Sequence, residues 1–393
     1  TSEVTFNTGA KLSLGNDSIG ILLKNTNIAD SIKINALQYN MGNNSIFLYG
    51  EKSTLKISDS LTALNGTAFS SLGTDSTMLY AANNSHISID SDITLPLSGK
   101  PSLFTNLYVA ENSDVTLENG NTLTMTPSQK TGLVSFSADG KYFSDGTTAV
   151  VIDNTKTGSI NKGIININSD NSVGMYTLYG TAKNDSAGVV NAAGQGSVGM
   201  FGEENSIIEN KGTLTQSGVS SIGIYGKTES DKTLVPDTHK LAINNSGTIN
   251  VNSNGSLGIY ASNNSTDPAV SKAESVINHT SSGTHAINVA GTKSVGIFAD
   301  KSTVKQNGNI NLTGTNSVGV YGRSGTEIIG GGIIDLNTNN QNQVAYYIEG
   351  NTGTLYDGTK LTGSLGTING YGIGVYAKNA EIDDSWADLD VTA

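Results

Sequence analysis

The chain lacks cysteine altogether, which excludes disulfide frameworks, thiolate metal sites and thiol nucleophiles. Proline and tryptophan are also scarce, at five residues and one residue, and only 14% of the 393 residues are charged. Glycine is frequent, with 47 residues, but it has no three-residue period, and 36% of the chain is hydrophobic. These proportions exclude collagen and predict a folded chain.

The chain also contains few basic residues. The chain has 22 basic against 34 acidic residues, a net charge of −12, and Arg323 is its one arginine. Nucleic acids and anionic lipid surfaces require clustered cations, so we expect neither as a partner. No apolar run approaches the length of a membrane span, and the N-terminus lacks the basic and apolar regions of a signal peptide. We therefore expect a segment that does not enter a membrane, with any signal peptide upstream or already removed.

A five-residue motif, Ser-Val-Gly-Ile-Tyr or a close variant, recurs along the chain. It is clearest at 172–176, 197–201, 221–225, 256–260, 294–298 and 317–321. Including looser copies, the aromatic or final apolar position falls at Leu22, Tyr49, Tyr80, Tyr108, Phe136, Tyr176, Phe201, Tyr225, Tyr260, Phe298, Tyr321, Tyr347 and Tyr376. For the fifth copy, the segment 149–152 competes with Phe136.

Between motifs the sequence alternates polar and apolar residues and carries an asparagine or glycine every few positions, as in 161–168 and 245–252. This period of two predicts short strands and leaves no room for helices. A unit of about 24 residues cannot bury its own apolar face, so copies must stack. We predict an all-β, right-handed parallel β-helix (a β-solenoid) of about 13 coils with three faces, roughly 58 Å long at one strand spacing per coil.

A charged column tests this register. The residues two positions after successive aromatics are Glu203, Lys227, Ser262, Asp300, Arg323, Glu349 and Lys378, and near the start Lys24 then Glu51. In an in-register stack, neighbouring charges of opposite sign attract. The signs alternate wherever two neighbours are charged, which predicts that Arg323 is a surface partner of Asp300 and Glu349.

Within the motif, strict alternation places Val173 and Met175 in the core, with Gly174 and Tyr176 outside. One interpretation is a bare glycine strip beside an aromatic column that would accept a sugar or a flat peptide. The other is that the glycine relieves crowding at a corner.

Three intervals are longer than the rest, with the extra residues following the motif strand at about 137–158, 227–240 and 261–274. In a solenoid, insertions at one corner project from one side and form a composite surface. We take these loops as the candidate ligand-binding surface, and neutral surface insertion is the alternative. The candidate residues are Tyr142, Phe143, Asp145, Lys227, Asp231 and His239.

Catalytic and metal chemistry finds little support in the sequence. The acid groups that could pair are Glu203 with Glu204, Asp90 with Asp92, and the aspartates at 383, 384, 388 and 390, each more simply a solvated edge. The four histidines, at 86, 239, 279 and 285, have no partner at metal-ligand spacing on one strand. We expect no catalytic residue, no metal and no cofactor.

The repeated motif, interleaved with Asn-Xaa-Gly-Xaa-Ile-Asn-Val strands in a cysteine-free, arginine-poor chain, resembles the passenger region of fusobacterial monomeric type V (type Va) autotransporters, the RadD-like large outer-membrane adhesins. The resemblance implies an N-terminal signal peptide and a C-terminal membrane barrel outside this piece. It also implies display at the cell surface or outer membrane, with possible release, and adhesion to proteins or glycans of other bacteria or host cells.

These observations predict a cell-surface adhesin passenger segment that binds ligands without catalysis, acts in coaggregation, host attachment and virulence, and is a monomer. A passive β-helical stalk presenting a distal tip and a polysaccharide-active β-helix enzyme are the alternatives. We expect divergent coils at 1–160, regular coils at 161–380 and a cap or truncated coil at 381–393.

Overall fold

The computed structural model describes residues 3–5, 11–28, 31–33, 38–40, 42–58, 69–71, 76–90, 93–94, 104–125, 131–136, 158–228, 241–264, 275–337, 342–351, 357–383 and 391–392. These residues form a right-handed parallel β-helix, as the repeat predicts. Each full coil contributes one strand to each of three long parallel sheets, which enclose a single continuous core. The described residues contain no helix that is long and apolar enough to cross a bilayer.

Sheet 1 is built from the motif strands and has 13 strands in the described chain. In order these are Ile19–Lys24, Ile46–Glu51, Ser76–Ala82, Phe104–Glu111, Thr131–Phe136, Val173–Leu178, Val198–Glu203, Ile222–Thr228, Leu257–Asn263, Val295–Asp300, Val318–Arg323, Val344–Glu349 and Ile373–Lys378.

Sheet 2 follows sheet 1 in every coil and also has 13 described strands. In order these are Asn27–Ile28, Thr54–Ser58, His86–Asp90, Asp114–Leu117, Gly158–Asn161, Thr181–Asn184, Ile207–Asn210, Leu241–Asn245, Ser275–His279, Thr303–Gln306, Glu327–Gly330, Lys360–Gly363 and Glu381–Ile382.

Sheet 3 completes the coil with 11 described strands. In order these are Ile93–Thr94, Thr122–Met125, Ile164–Ile167, Val189–Ala192, Thr213–Gln216, Thr248–Val251, Ile287–Val289, Asn309–Leu312, Ile333–Leu336, Thr367–Asn369 and Val391–Thr392. Shorter parallel pairings near the start join Glu3–Thr5 to Ser31–Lys33, Lys11–Ser13 to Gln38–Asn40, and Gln38–Asn40 to Phe69–Ser71.

The charged column lies in the predicted register. Asp300 stands opposite Arg323, and Arg323 stands opposite Glu349. The Arg323 guanidinium lies 2.8 Å from the Asp300 carboxylate and 5.0 Å from the centre of the Phe298 ring. Lys378 reaches Glu349 at 2.6 Å. The one arginine of the sequence is therefore a surface ion-pair partner of Asp300, as the alternation of signs predicts, whereas Glu349 is paired with Lys378.

The motif strand does not alternate strictly. The predictions for Val173 and Gly174 are therefore wrong, whereas those for Met175 inside and Tyr176 outside are confirmed. Gly174 and Met175 are both buried, whereas Val173 and Tyr176 are half-exposed. A Cβ at Gly174 would meet the carbonyl oxygen of Gly199 and the Cδ1 of Ile167, each at 2.8 Å. The glycine thus faces the crowded core, so a bare glycine strip on the outside does not exist in this coil.

The aromatic side chains form a stacked column on sheet 1 from Tyr176 to Tyr376. Phe201 and Tyr225 stack with ring centres 4.7 Å apart and planes within 6°, and Tyr225 stacks on Tyr260 in the same way at 4.9 Å. Each of these rings offers its faces to its neighbours along the rod. These stacked rings therefore stabilise the rod and leave mainly their edges for a ligand, whereas Tyr176 with Phe201 and Tyr321 with Tyr347 meet edge to face.

Two of the predicted motif positions are wrong. Tyr80 stands opposite Val109, and Val109 stands opposite Val134, which in turn faces Tyr176. Tyr108 therefore lies one residue before the aromatic column, because the register shifts between Ser76 and Thr77. Phe136 lies two residues after it, opposite Leu178. The competing segment 149–152 is outside the described residues.

Candidate functional site

All three insertions fall at the same corner of the β-helix, between a strand of sheet 1 and the following strand of sheet 2. Their flanking strands are Thr131–Phe136 and Gly158–Asn161, Ile222–Thr228 and Leu241–Asn245, and Leu257–Asn263 and Ser275–His279. The second and third insertions belong to adjacent coils, since Leu241–Asn245 pairs with Ser275–His279. This confirms the predicted placement at one corner of the rod.

Of the residues predicted to bind ligand, the structure describes one. Lys227 lies half-buried at the end of a sheet 1 strand, opposite Glu203 and Ser262 in the charged column. Tyr142, Phe143, Asp145, Asp231 and His239 lie outside the described residues. Their role in binding stays a prediction.

Beside the first insertion, the outer face of sheet 2 carries a dense group of ionisable and hydrogen-bonding side chains. The strand Gly158–Asn161, into which this insertion leads, pairs with Asp114–Leu117, and that strand pairs with His86–Asp90. We call this group the sheet 2 cluster. Its members are Lys56, His86, Ser88, Asp90, Asp114, Glu118, Asn121 and Lys162.

Alternation along the strands explains why these side chains point outward. Ile87 and Ile89 are fully buried, so His86, Ser88 and Asp90 must lie on the opposite face of their strand. In the next coil Val115 and Leu117 fill the core in the same way. The pleat therefore brings side chains from successive coils together, about one strand spacing apart.

The first contact in the sheet 2 cluster joins a histidine to an aspartate. His86 stands opposite Asp114, and its Nδ1 lies 3.4 Å from a carboxylate oxygen of Asp114. The hydrogen bond to Asp114 raises the pKa of His86 above its ordinary value, and burial opposes this shift. Both side chains are about two-fifths exposed, at 43% and 42%, so a ligand can reach them.

Ion pairs and hydrogen bonds hold the other two carboxylates. Lys56 Nζ lies 2.9 Å from Asp90, and this hydrogen bond, with a second from Asn121, lowers the pKa of the Asp90 carboxyl. Glu118 accepts the hydroxyl of Ser88 at 2.9 Å and the ammonium of Lys162 at 3.1 Å. Both carboxylates are thereby held in position, and the lowered pKa of Asp90 keeps that carboxyl charged at neutral pH.

A surface of this kind suits a hydroxyl-rich ligand. Carboxylates accept hydrogen bonds from hydroxyl groups, and lysine, asparagine and serine donate to their oxygens. A glycosidase would need one carboxyl kept protonated near neutral pH. The lowered pKa of Asp90 makes it unsuited to that role. His86 is the group of the sheet 2 cluster whose raised pKa brings a proton within reach near neutral pH.

The remaining acid groups considered from the sequence lie apart from one another or outside the described chain. Glu203 accepts the Tyr176 hydroxyl at 2.7 Å, whereas Glu204 is buried in a turn with φ of 38°. Asp92 is outside the described residues, and so are the aspartates at 384, 388 and 390. Among the described side chains, no three histidines or acids converge as a metal site requires.

Sequence reasoning noted Asp90 and His86 separately but missed the sheet 2 cluster. The signal is present in His86-Ile-Ser-Ile-Asp90 and Asp114-Val-Thr-Leu-Glu118, two alternating strands of equal length and polarity. Bringing them together requires the register of the early coils. A one-residue slip, such as the one at Tyr108, moves every side chain to the opposite face.

The family model of the BigA third pectate lyase-like domain matches residues 65–267, just over half of the 393 residues. The chain belongs to this family. The segment that matches the BigA third-domain family contains the whole sheet 2 cluster except Lys56, together with the first two insertions.

No curated protein matches the chain. Among solved structures, the chain is similar to the A-module of the Azotobacter vinelandii mannuronan C-5 epimerase AlgE4. The two are 11% identical, with 88% of this chain and 91% of that chain covered, and the TM-score is 0.26. At so low a TM-score the likeness carries no argument about function.

Proposed function

We propose that the chain is an adhesive segment displayed at a cell surface, which binds a polysaccharide of another cell without cleaving it. The observation that carries the proposal is the sheet 2 cluster, a flat set of donors and acceptors at the foot of the first insertion. A rigid sheet holds these groups in fixed positions, so little conformational entropy is lost when a ligand binds.

The family supports the chemical class of the ligand. A pectate lyase-like domain is named after an enzyme that acts on a polysaccharide, and most of the sheet 2 cluster lies within the matched segment. The resemblance of the repeats to fusobacterial autotransporter passengers supports display on a cell surface. The net charge of −12 favours a neutral or cationic partner over a polyanion.

A polysaccharide-active enzyme is the second candidate, because one pair of side chains favours it. His86 is oriented by Asp114 and has a raised pKa, which is the arrangement of a general acid or base. Against it, the other two carboxylates of the sheet 2 cluster are held in ion pairs, and the arginine is engaged by Asp300.

A glycan array probed with the chain, followed by product analysis on each glycan that binds, distinguishes the candidates. We expect binding to a small set of glycans and no new reducing or unsaturated ends after long incubation. Product release would replace the adhesive function with the enzymatic one. Absence of binding to any glycan, together with absence of binding to whole bacterial or host cells, would support a passive stalk.

A further inference from the structure

A column of buried asparagines runs along the end of sheet 2, at the corner that leads to sheet 3. We call it the asparagine column, and its members are Asn161, Asn184, Asn210 and Asn245. All four side chains are 0–1% exposed. Each side-chain amide donates to the carbonyl oxygen of the next asparagine, at 2.8, 2.9 and 2.7 Å. The hydrogen bonds therefore all point the same way along the rod.

His279 occupies the next position of the asparagine column, opposite Asn245 and Gln306. Its side chain is fully buried. Asn245 uses its oxygen to accept from Asn210, so the group it presents to His279 Nδ1 at 3.1 Å is its NH₂. His279 Nδ1 must accept this hydrogen bond, and Nε2 then carries the proton and donates to the carbonyl oxygen of Asn309 at 3.1 Å.

A second proton on this imidazole finds only neutral acceptors among the groups that contact the ring. Protonated Nδ1 would point a hydrogen at the amide hydrogens of Asn245. Rotating that amide would leave Asn210 without its acceptor, and the same conflict would pass to Asn184 and Asn161. Ser281 offers a hydroxyl oxygen 3.2 Å from Nδ1, which is a neutral acceptor with no charge to balance a cation.

Charged groups in the described chain do not compensate for this. The side chains that face His279 from the strands on either side are Asn245 and Gln306, both uncharged. Lys305 points outward from the next strand, and His285 lies at the outer corner, bonded to Thr248. Gly308 packs against the ring so closely that a Cβ there would lie 2.6 Å from Nε2. Burial without a counter-charge lowers the pKa of His279 to about 4.

We propose that His279 is an acid-sensitive lock: proton uptake by its buried imidazole breaks the one-way hydrogen-bond chain and loosens the strands that follow the second and third insertions. Those strands are Leu241–Asn245 and Ser275–His279, and each ends on a member of the chain, Asn245 or His279. Acid would therefore loosen the two adjacent coils that contain the second and third insertions. This inference does not depend on the identity of the ligand.

The direction of the pH effect follows from the difference between the pKa of His279 in the opened coil and in the closed coil. An opened coil restores an ordinary histidine, with a pKa near 6.5, whereas the closed coil holds it near 4. The opened state therefore binds more protons between these values, and opening is favoured as pH falls from about 6.5 towards 4. Above pH 7 the lock is neutral and fully formed.

Hydrogen exchange measured by mass spectrometry from pH 7.5 to 4.5, corrected for intrinsic exchange rates, tests the proposal. In the wild-type chain we expect protection of 241–245 and 275–279 to fall about tenfold at pH 5.5 and roughly 50- to 100-fold at pH 4.5. The strand Thr122–Met125, which has no ionisable side chain and ends on an apolar residue, is the internal control and should change little.

His279→Asn is the decisive variant, because an asparagine at this position extends the column with a side chain that does not titrate. It should keep protection of 275–279 at pH 4.5, and His279→Gln provides the same test should the first variant fold poorly. His285→Asn is the matched control and should behave like the wild type. The proposal is overturned if the wild-type protection does not change with pH, or if both His279 variants lose it as the wild type does.

Discussion

The coils before residue 137 and those from residue 158 on end their sheet 2 strands differently. In the earlier coils Ile89 and Leu117 occupy this position and are fully buried. From the next coil the same position holds Asn161 and then the rest of the asparagine column. The change from apolar to amide side chains comes with a change in the corner that follows.

The corner that follows is shorter after Asn161 than after Leu117. After Leu117, four residues lead to the next strand, and the turn satisfies part of its own backbone through Asn121 N–H to Glu118 O at 3.3 Å. After Asn161 only two residues lead to the next strand, and the side-chain oxygen Oδ1 of Asn161 accepts a hydrogen bond from the Gly163 N–H at 3.1 Å. The buried amide pairs with backbone groups of the corner whether the corner is short or long. After Asn184 four residues also lead to the next strand, and the Asn184 side-chain amide donates to the Gly188 carbonyl oxygen at 3.2 Å.

This contrast shows in which coils the side chains can be substituted more freely. The regular coils depend on columns of identical side chains, so each position is constrained by its neighbours above and below. In the early coils apolar side chains end the sheet 2 strands, a buried serine column at 53, 85 and 113 lies at the start of that sheet, and the outer face is occupied by the varied side chains of the sheet 2 cluster. The predicted boundary of the regular coils at residue 160 stays a prediction.

The largest expected effect comes from breaking the asparagine column. Asn210→Ala removes one acceptor of the Asn184 amide and leaves the side-chain oxygen of Asn245 without its donor in a buried site. We expect the free energy of unfolding, measured by urea denaturation, to fall by about 3 kcal/mol. Asn191→Ala is the matched control, because Asn191 is half-buried in an outward column with one bond to Asn166, and it should cost less than about 1 kcal/mol. Equal losses in the two variants would contradict the special role of the buried column.

The next effect concerns the inward glycine of sheet 1. Gly174→Ala places a methyl group 2.8 Å from both the Gly199 carbonyl oxygen and Ile167, so we expect a loss of about 1–3 kcal/mol by the same measurement. In the early coils Met78 occupies the position equivalent to Gly174 and is fully buried. It lies between Thr77 and Leu79, which pair with Ile46 and Leu48 of the preceding coil. Met78→Gly should therefore destabilise its coil by leaving a cavity. If neither Gly174→Ala nor Met78→Gly changes the free energy of unfolding, the expected difference in packing between the two regions at this position is contradicted.

A smaller effect is expected for the charged column. Arg323 is 45% exposed, so Arg323→Gln should lower the free energy of unfolding by at most about 1 kcal/mol at low salt, with less effect at high salt. Asp300→Lys brings two cations together and should be worse. The double variant Asp300→Lys/Arg323→Asp should recover part of the loss. Failure of this exchange to recover stability would indicate that the side chains do not interact in solution.

The smallest effect should come from His86 and has the opposite pH sign to that of His279. Because Asp114 raises the pKa of His86, the pair stabilises the fold fully below the unfolded pKa and loses this contribution as pH rises through the folded value. His86→Asn should therefore destabilise the chain by a few tenths of a kcal/mol at pH 5.5 and less at pH 8, given its exposure. Thermal unfolding at the two pH values measures it. A larger effect at pH 8 would contradict the assignment.

The sequence predicts the fold and the register of the later coils because their columns repeat visibly. Alternating charges at 300, 323, 349 and 378 indicate which residues stand side by side, and the structure places them there. The burial of Gly174 could not be predicted, because an irregularity in the strand turns two consecutive residues inward, and periodicity alone assumes a straight strand.

In the early coils the same reasoning fails for a physical reason. Without repeated side chains, aromatic residues were the available markers, and Tyr108 and Phe136 both lie outside the aromatic column. Gly132, between Thr131 and Leu133, was the better marker of the fifth coil, since these two flanking residues pair with Val173 and Met175. The sheet 2 cluster depends on the register of these coils and therefore becomes visible only in three dimensions.

The central claim is that ligand binding belongs to the varied face of the early coils and not to the regular rod. The most direct test is the affinity for an array-selected glycan of the wild-type chain and of two lysine variants on the outer face of sheet 2. Lys56→Ala breaks the 2.9 Å pair with Asp90 in the sheet 2 cluster, and Lys360→Ala breaks the matched 2.9 Å pair with Glu327 in the regular coils. We predict that Lys56→Ala weakens binding by about tenfold or more, which corresponds to about 1.4 kcal/mol, and that Lys360→Ala leaves it unchanged. Equal affinity in the two variants, or a loss confined to Lys360→Ala, would contradict the claim.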